Sequence, residues 1–262
     1  DRHNAAAGAD GVRVECRSGL VLIAKACVVT IPLGCLKVGM PSQGVYDGEK
    51  ICGQLFQPEL SLEKRQAIAS ISMGYYKKVL LTFEAPFWPL DAPFLGLIRN
   101  NNNSQNNQSG HDKLNLGNYL LINNLWTGMG TTNTQTTHHC ALPAIEAILV
   151  GDAGKTATNL SNDRIKHAIL DFIQVAMPLT TLPTCTDCHV TRWEEDDFSR
   201  GAFSCLSLGG LYRHVEALGR SEWGGRLVFA GEATNYEYQG SVHGAIFSGV
   251  EAAEEVLDVL AE

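Results

Sequence analysis

Apolar positions recur with a period of two near the start of the chain and with a helical period towards its end. Gly11-Val12-Arg13-Val14-Glu15-Cys16 alternates, Arg17-Ser18-Gly19 supplies a turn, and Val21-Leu22-Ile23 resumes the extended pattern, so β structure is expected here. The run Ala26–Ile31 is almost wholly apolar, β-branched from Val28 to Ile31, and stopped by Pro32-Leu33-Gly34. A strand buried on both faces reads this way. Ser61–Ile71 predicts a short helix with Leu62, Ile68 and Ile71 on its apolar side, followed by a strand over Lys78–Phe83 that Pro86 ends. Tyr119–Trp126 reads as a strand, and so does Ala144–Val150, for which a helix is the alternative. Over Ser161–Ala176 the spacing of Ile165, Ile169 and Phe172, with Ala168 and Ala176, is helical; Ser161 is the expected N-cap and Met177-Pro178 the stop. A Gly224-Gly225 turn precedes a strand over Arg226–Ala230. A last helix is expected from Ser241 to Leu260, with Gly244, Ser248 and Ala252 in one small-residue stripe and Ala245, Gly249 and Ala253 in the next. Small residues at that spacing let a helix come close to another backbone or to a flat ligand.

Composition narrows the classes. With 262 residues, 45% of them apolar, the chain can form one large domain or two interleaved ones. Residues 100–110 and 127–139 are low in complexity and rich in Asn, Gln and Thr, which predicts surface loops. The net charge of −8 disfavours general nucleic-acid binding. No apolar run reaches the roughly 18 residues of a membrane span, and no signal-peptide pattern opens the sequence. An intracellular, cytoplasmic setting is expected, with nucleus and peroxisome left open. Cys185-Thr186-Asp187-Cys188-His189 is one CxxC without a correctly spaced second pair, and His138-His139-Cys140 does not supply one. No metal is expected from it.

The richest stretch lies near the C-terminal end. A strand closes on Gly231-Glu232, a polar loop runs to Gly240, and a small-residue helix begins at Ser241-Val242-His243-Gly244. This sets the unpaired amides of a helix N-terminus beside a carboxylate, an arrangement suited to an electron-rich oxygen or to a ring that turns anionic on reduction. Glu232 is a candidate acceptor for ribose-like hydroxyls. An ordinary βα unit whose glycines serve packing has the same spacing, and the residues alone leave both readings open.

Phe229-Ala230-Gly231-Glu232-Ala233-Thr234 and Gly240-Ser241-Val242-His243-Gly244-Ala245, followed by Ser248-Gly249, resemble the C-terminal FAD-binding signature of flavin amine oxidases. That family includes polyamine oxidases, lysine-specific histone demethylases and, more distantly, monoamine oxidases. Three further blocks agree in order. They are Thr30-Ile31-Pro32-Leu33-Gly34-Cys35-Leu36-Lys37, then Met73-Gly74 through Lys78-Val79 to Phe87-Trp88, and Arg192-Trp193 through Arg200-Gly201-Ala202-Phe203-Ser204. The resemblance implies an α/β (α+β mixed) fold, in which an incomplete FAD-binding domain is interleaved with a substrate domain built on a mixed sheet. Residues 1–74 and 222–262 would belong to the FAD-binding domain and 75–221 to the substrate domain, crossing near Tyr75 and returning near Glu222. The family's G-x-G-x-x-G unit for the ADP pyrophosphate has no counterpart here, since Gly8-Ala9-Asp10-Gly11 and Gly128-Met129-Gly130 are wrongly spaced. The chain is therefore expected to be a fragment of a longer gene product, inactive alone.

By resemblance, Lys78 takes the place of the lysine that bridges through water to the flavin N5, where a cation stabilises charge as reduced flavin meets O₂. A lysine that snorkels to solvent is the plain alternative. Lys77 faces the opposite side of the strand, so only one of the pair reaches the flavin, and the motif selects Lys78. Phe203 matches the aromatic wall beside the substrate amine. Ser241 falls where a second wall stands, and a serine there argues against a monoamine oxidase. Thr30, Pro32, Trp193, Gly231, Glu232, Ser241 and Val242 are the candidate cofactor-binding residues; for Phe203 and Trp193 a core role is the alternative. The implied reaction is FAD-dependent oxidation of an amine C–N bond, a polyamine first, with O₂ as acceptor. A lysine-demethylase-like enzyme, or a non-catalytic remnant that holds no FAD, are the rivals.

Overall fold

The computed structural model describes residues 11–16, 18–38, 55–99, 114–126, 142–177, 181–206 and 208–261. Two compact units make up the chain, one from Asp1–Gly74 with Glu194–Glu262 and the other from Tyr75–Trp193. The return to the first unit thus falls at Glu194 and not near Glu222, because the stretch before Glu222 packs with the first unit's helices and strands. The two low-complexity stretches, 100–110 and 127–139, lie outside the described residues.

The first unit opens with β1 (Val12–Glu15) and β2 (Val21–Ala24), an antiparallel pair with Val12 opposite Ala24. Then come β3 (Cys27–Val29), α1 (Leu33–Val38), α2 (Leu62–Ser70) and β4 (Ser72–Met73). Ser61 caps α2 by accepting the Lys64 amide at 3.2 Å. The buried side of α2 is Lys64, Ala67 and Ile68, continued by Ile71, a helical i, i+3, i+4, i+7 series. Leu62 is 63% exposed, contrary to expectation. It stands at the first position of the helix, and the place on the inner stripe belongs to a lysine that apolar counting passes over.

The second unit is one sheet with helices. Its strands are β5 (Tyr76–Phe83), β6 (Phe94–Ile98), β7 (Tyr119–Asn124), β8 (Ala144–Val150) and, after α3 (Gly151–Thr158) and α4 (Asn162–Ala176), β9 (Cys185–Val190). They stand in the order β6-β7-β8-β5-β9. Among the described residues every pairing in this sheet is antiparallel, where a mixed sheet was expected. The crossover through α3 and α4 does return a strand running the same way as β8, but β5 lies between them, so no parallel ladder forms. Ala144–Val150 resolves as a strand. Ser161 caps α4, and Ile165, Ile169, Phe172 and Ile173 pack on Val79, Leu81, Ile145, Ala147 and Leu149. Each such side chain contributes roughly 1.5–3 kcal/mol by leaving water. The Phe87-Trp88 pair packs edge-on against Phe83, with the Trp88 indole donating to Asn124 Oδ1 at 2.8 Å.

The chain then re-enters the first unit with β10 (Ser204–Cys205), α5 (Tyr212–Gly219), β11 (Leu227–Phe229), a 3₁₀ turn over Glu232–Thr234 and α6 (Val242–Ala261). β10 pairs with β4 and β11 runs parallel to β3, with Val228 beside Val28. The strand Ala26–Ile31 was expected to be buried on both faces, yet Val28 is 40% exposed. Ala252 of α6 packs over Val228 and Ala230, and no such cover reaches Val28 among the described residues. Of the two small-residue stripes on α6 only Gly244, Ser248 and Ala252 are buried. Two lysines close helix ends. Lys37 Nζ donates to the Ile68 and Ala69 carbonyls at the end of α2, at 2.6 and 3.0 Å. Lys64 Nζ donates to Leu218 and Arg220 carbonyls at the end of α5 and lies 3.9 Å from the centre of the Phe229 ring. Burial pushes both ammonium pKa values down, that of Lys64 to about 8.

Candidate functional site

β11 hands the chain to Gly231, whose φ of 137° lies in the region that favours glycine, and a Cβ built there meets nothing within 4 Å. The glycine is thus needed for its backbone conformation, and open space lies beside it among the described residues. Ser248 on α6 grips both polar groups of Gly231: its hydroxyl accepts the Gly231 amide at 3.0 Å and lies 3.1 Å from the Gly231 carbonyl. Small residues bring α6 in this far. A Cβ on Gly244 would stand 2.3 Å from the Tyr238 carbonyl oxygen.

Glu232 follows directly. One carboxylate oxygen accepts the Ser204 amide at 3.0 Å; the other accepts the Ser204 hydroxyl and the Gly240 amide, each at 2.7 Å. Gln239 Nε2 donates to the same Ser204 hydroxyl at 3.0 Å. A carboxylate offers about four lone-pair sites, so most of Glu232 is spent on holding β10 and the 235–240 loop against the end of β11. Burial and then the charge of Glu232 raise the thiol pKa of Cys205 beside it. Ser241 caps α6, accepting the Gly244 amide at 3.1 Å and donating to the Tyr238 carbonyl at 2.6 Å. That use of its hydroxyl is structural. The amides of Val242 and His243, in the first turn, have no hydrogen-bond partner among the described residues. Val242 itself is 78% exposed. Phe203 lies between two glycines: a Cβ on Gly240 or Gly74 would come within 3.0 or 3.3 Å of its ring. Thr30 and Pro32 are exposed at the end of β3, where the Pro32 carbonyl accepts the Cys35 and Leu36 amides and starts α1.

The first unit therefore gathers Phe203, Gly231, Glu232, Ser241 and Val242 around one strand end and one helix start. Lys78 and Trp193 belong to the second unit. Lys77 and Lys78 take opposite faces of β5: Lys77 is fully buried, while Lys78 forms an ion pair with Glu146 at 3.2 Å. The Lys78 amide donates to Thr191 Oγ1 at 2.9 Å. Sequence reasoning passed over Gln239 and over Glu146, whose signal is an acid inside the apolar run Ala144–Val150; Ser204 and Ser248 entered it as motif positions, without the hydrogen bonds they make to partners distant in the chain. On β9, burial raises the Cys185 and Cys188 thiols, Cys188 to about 11. Among the described residues no three His, Cys, Asp or Glu converge as a metal site, and His138, His139 and Cys140 lie outside them.

An open glycine in the left-handed region, a helix start with unpartnered amides and a pinned carboxylate fit a flat, electron-rich group approaching the strand end. Residues 3–257 match the family model described as flavin containing amine oxidoreductase. The chain is 29% identical to histone demethylase-like protein A of Aspergillus fumigatus, over 94% of this chain and 20% of that protein. It is 27% identical to lysine-specific histone demethylase 1 homolog 3 of Oryza sativa subsp. indica, over 97% of this chain and 27% of that protein. Polyamine oxidase 4 of Oryza sativa subsp. japonica is 29% identical over 94% of this chain and 42% of its own length. The chain thus spans less than half of each of these relatives. With the match running through nearly its whole length and the strand-end geometry agreeing with a flavin, this chain belongs to the flavin containing amine oxidoreductases, whose cofactor is FAD.

Proposed function

We propose that this chain serves FAD-dependent oxidation of an amine C–N bond, with a polyamine as substrate and O₂ as acceptor. The match of residues 3–257 to the flavin-containing amine family carries the reading, and relatives named polyamine oxidase support the substrate class. When bound, FAD supplies the two-electron chemistry, taking the equivalent of a hydride from the amine and reducing O₂ to H₂O₂. The protein's part is placement and electrostatics. In this proposal most of the cofactor-binding residues belong to the first unit. Gly231 allows close approach, and the Val242 and His243 amides face electron-rich oxygen or ring nitrogen. Glu232 keeps that corner rigid and has an acceptor site left for a hydroxyl. Thr30 and Pro32 border the cofactor from β3, Ser241 fixes the helix start, and Trp193 packs near the ring system. Phe203 aligns the amine, and Lys78 presents its ammonium where negative charge develops.

A second reading, a lysine-demethylase-like enzyme, is favoured by relatives named lysine-specific histone demethylase at similar identity. One experiment separates the two. The protein, expressed in its full reading frame, is examined for a flavin band in the visible blue. It is then screened for peroxide release from spermine, spermidine, their acetylated forms and methyl-lysine peptides. Release from the free amines, rising with pH as the substrate amine loses its proton, is the expected outcome. Turnover of the peptides alone moves the assignment to a demethylase, and no flavin band in that protein removes both.

A further inference from the structure

Three polar side chains cross one face of the five-stranded sheet in a row. Asn123 on β7 stands directly opposite Glu146 on β8, and Lys78 on β5 stands opposite Ile148, two residues further along β8 on the same face. Asn123 Nδ2 donates to Glu146 Oε1 at 2.9 Å, and Lys78 Nζ lies 3.2 Å from Oε2. The Glu146 side chain is 8% exposed and that of Lys78 is 46% exposed. Backbone bonds between Lys78 and Thr191 fix the base of the lysine as well. The row therefore runs from a neutral amide, through a buried carboxylate, to a half-exposed ammonium.

A lysine side chain is a flexible stem bearing a point charge. A carboxylate that is itself buried and held by a neighbouring strand cannot follow the lysine outwards, so it confines the ammonium and leaves N–H groups free to point off the sheet. Its negative charge also offsets that of the lysine, so the pair itself carries little net charge towards an approaching cationic amine. We propose that Glu146, held by Asn123, is the positioning residue for Lys78. It sets where the ammonium sits and offsets its charge. This rests on the reading of Lys78 as the ammonium that serves the flavin.

The test uses E146Q, E146L and K78M in the full-length flavoprotein, with two readouts. The first needs no catalysis. Acylation of Lys78 by an activated ester is followed by peptide mass spectrometry, with exposed Lys155 as internal reference. Several-fold faster labelling of Lys78 in E146Q and E146L, at an unchanged Lys155 rate, is expected, because the carboxylate no longer sits against Nζ. The second readout is reoxidation of the reduced flavin by O₂ in stopped flow. It is expected to slow about tenfold or more in K78M and E146L. In E146Q, which keeps the shape and the Asn123 bond but loses the charge, KM for a polyamine is expected to rise more than kcat falls. Unchanged Lys78 labelling, or slowed reoxidation in K78M with none in E146L, overturns the role of Glu146 and leaves Lys78 standing. Unchanged reoxidation in K78M itself overturns the flavin-facing role of Lys78 and the proposal with it.

Discussion

Glu232 hydrogen-bonds groups from two separate stretches of chain, Ser204 and Gly240. Removing it leaves two backbone donors without an acceptor, so Glu232→Ala is expected to destabilise the protein by about 3 kcal/mol, read as a lower urea midpoint at unchanged slope. Lys64 predicts a pH dependence. Its folded pKa of about 8 lies below the ordinary 10.5, chiefly because burial disfavours the charged form, with Glu222 opposing that effect. The penalty is fully present below pH 8, where both states are protonated. Between about 8 and 10.5 the unfolded state binds more protons, so stability rises with pH. Against Lys64→Met, the wild type should gain up to about 3 kcal/mol across that window. A flat difference in urea titrations would refute it. Single residues were unevenly legible in the sequence. The opposite facing of Lys77 and Lys78 follows from the two-residue period of a strand, whereas Glu146 acquires its meaning only from the register of β7, β8 and β5.

At the level of elements, α4 was readable because its cap and its apolar spacing agree. Ser161→Ala should cost about 1 kcal/mol, and Ile169→Ala, which empties a fully buried position between helix and sheet, about 2–5 kcal/mol. Thermal unfolding followed by circular dichroism checks both. By contrast α1, α3, α5, β6 and β9 left weak signals. α3 is Gly-Asp-Ala-Gly-Lys-Thr-Ala-Thr, a poor helix former by composition that is helical because Gly154 and Ala157 tuck against the sheet unit. β9 is largely polar, and pairing with β5 decides its state. Gly244 on α6 has no room for a side chain, since the obstacle is a backbone carbonyl. Gly244→Ala is expected to cost about 1–3 kcal/mol by forcing the helix start away from Tyr238. If the proposed FAD site is right, that variant also retains less flavin on a desalting column.

For the molecule as a whole, the second unit is one continuous segment with its own core, whereas the first is assembled from both ends of the chain. Residues 75–193 expressed alone are therefore expected to unfold cooperatively, with the fluorescence of Trp88 marking an intact aromatic cluster; a non-cooperative transition would contradict this. The first crossing was legible through the family resemblance, which puts it near Tyr75, where the second unit begins. The second was not, because Arg192-Trp193 and Gly201-Ala202-Phe203 read as one block although the chain changes unit inside it. The topology of the sheet has a further consequence. β5 is hydrogen-bonded along both edges, by β8 and β9, while among the described residues β6 is paired along one side. When the sheet frays from its rims, the strand bearing Lys78 is held by neighbours on both sides, so its amides should exchange with deuterium more slowly than those of β6. The proposed ammonium therefore stands on an interior strand, and a β6 that breathes open leaves both of that strand's ladders intact.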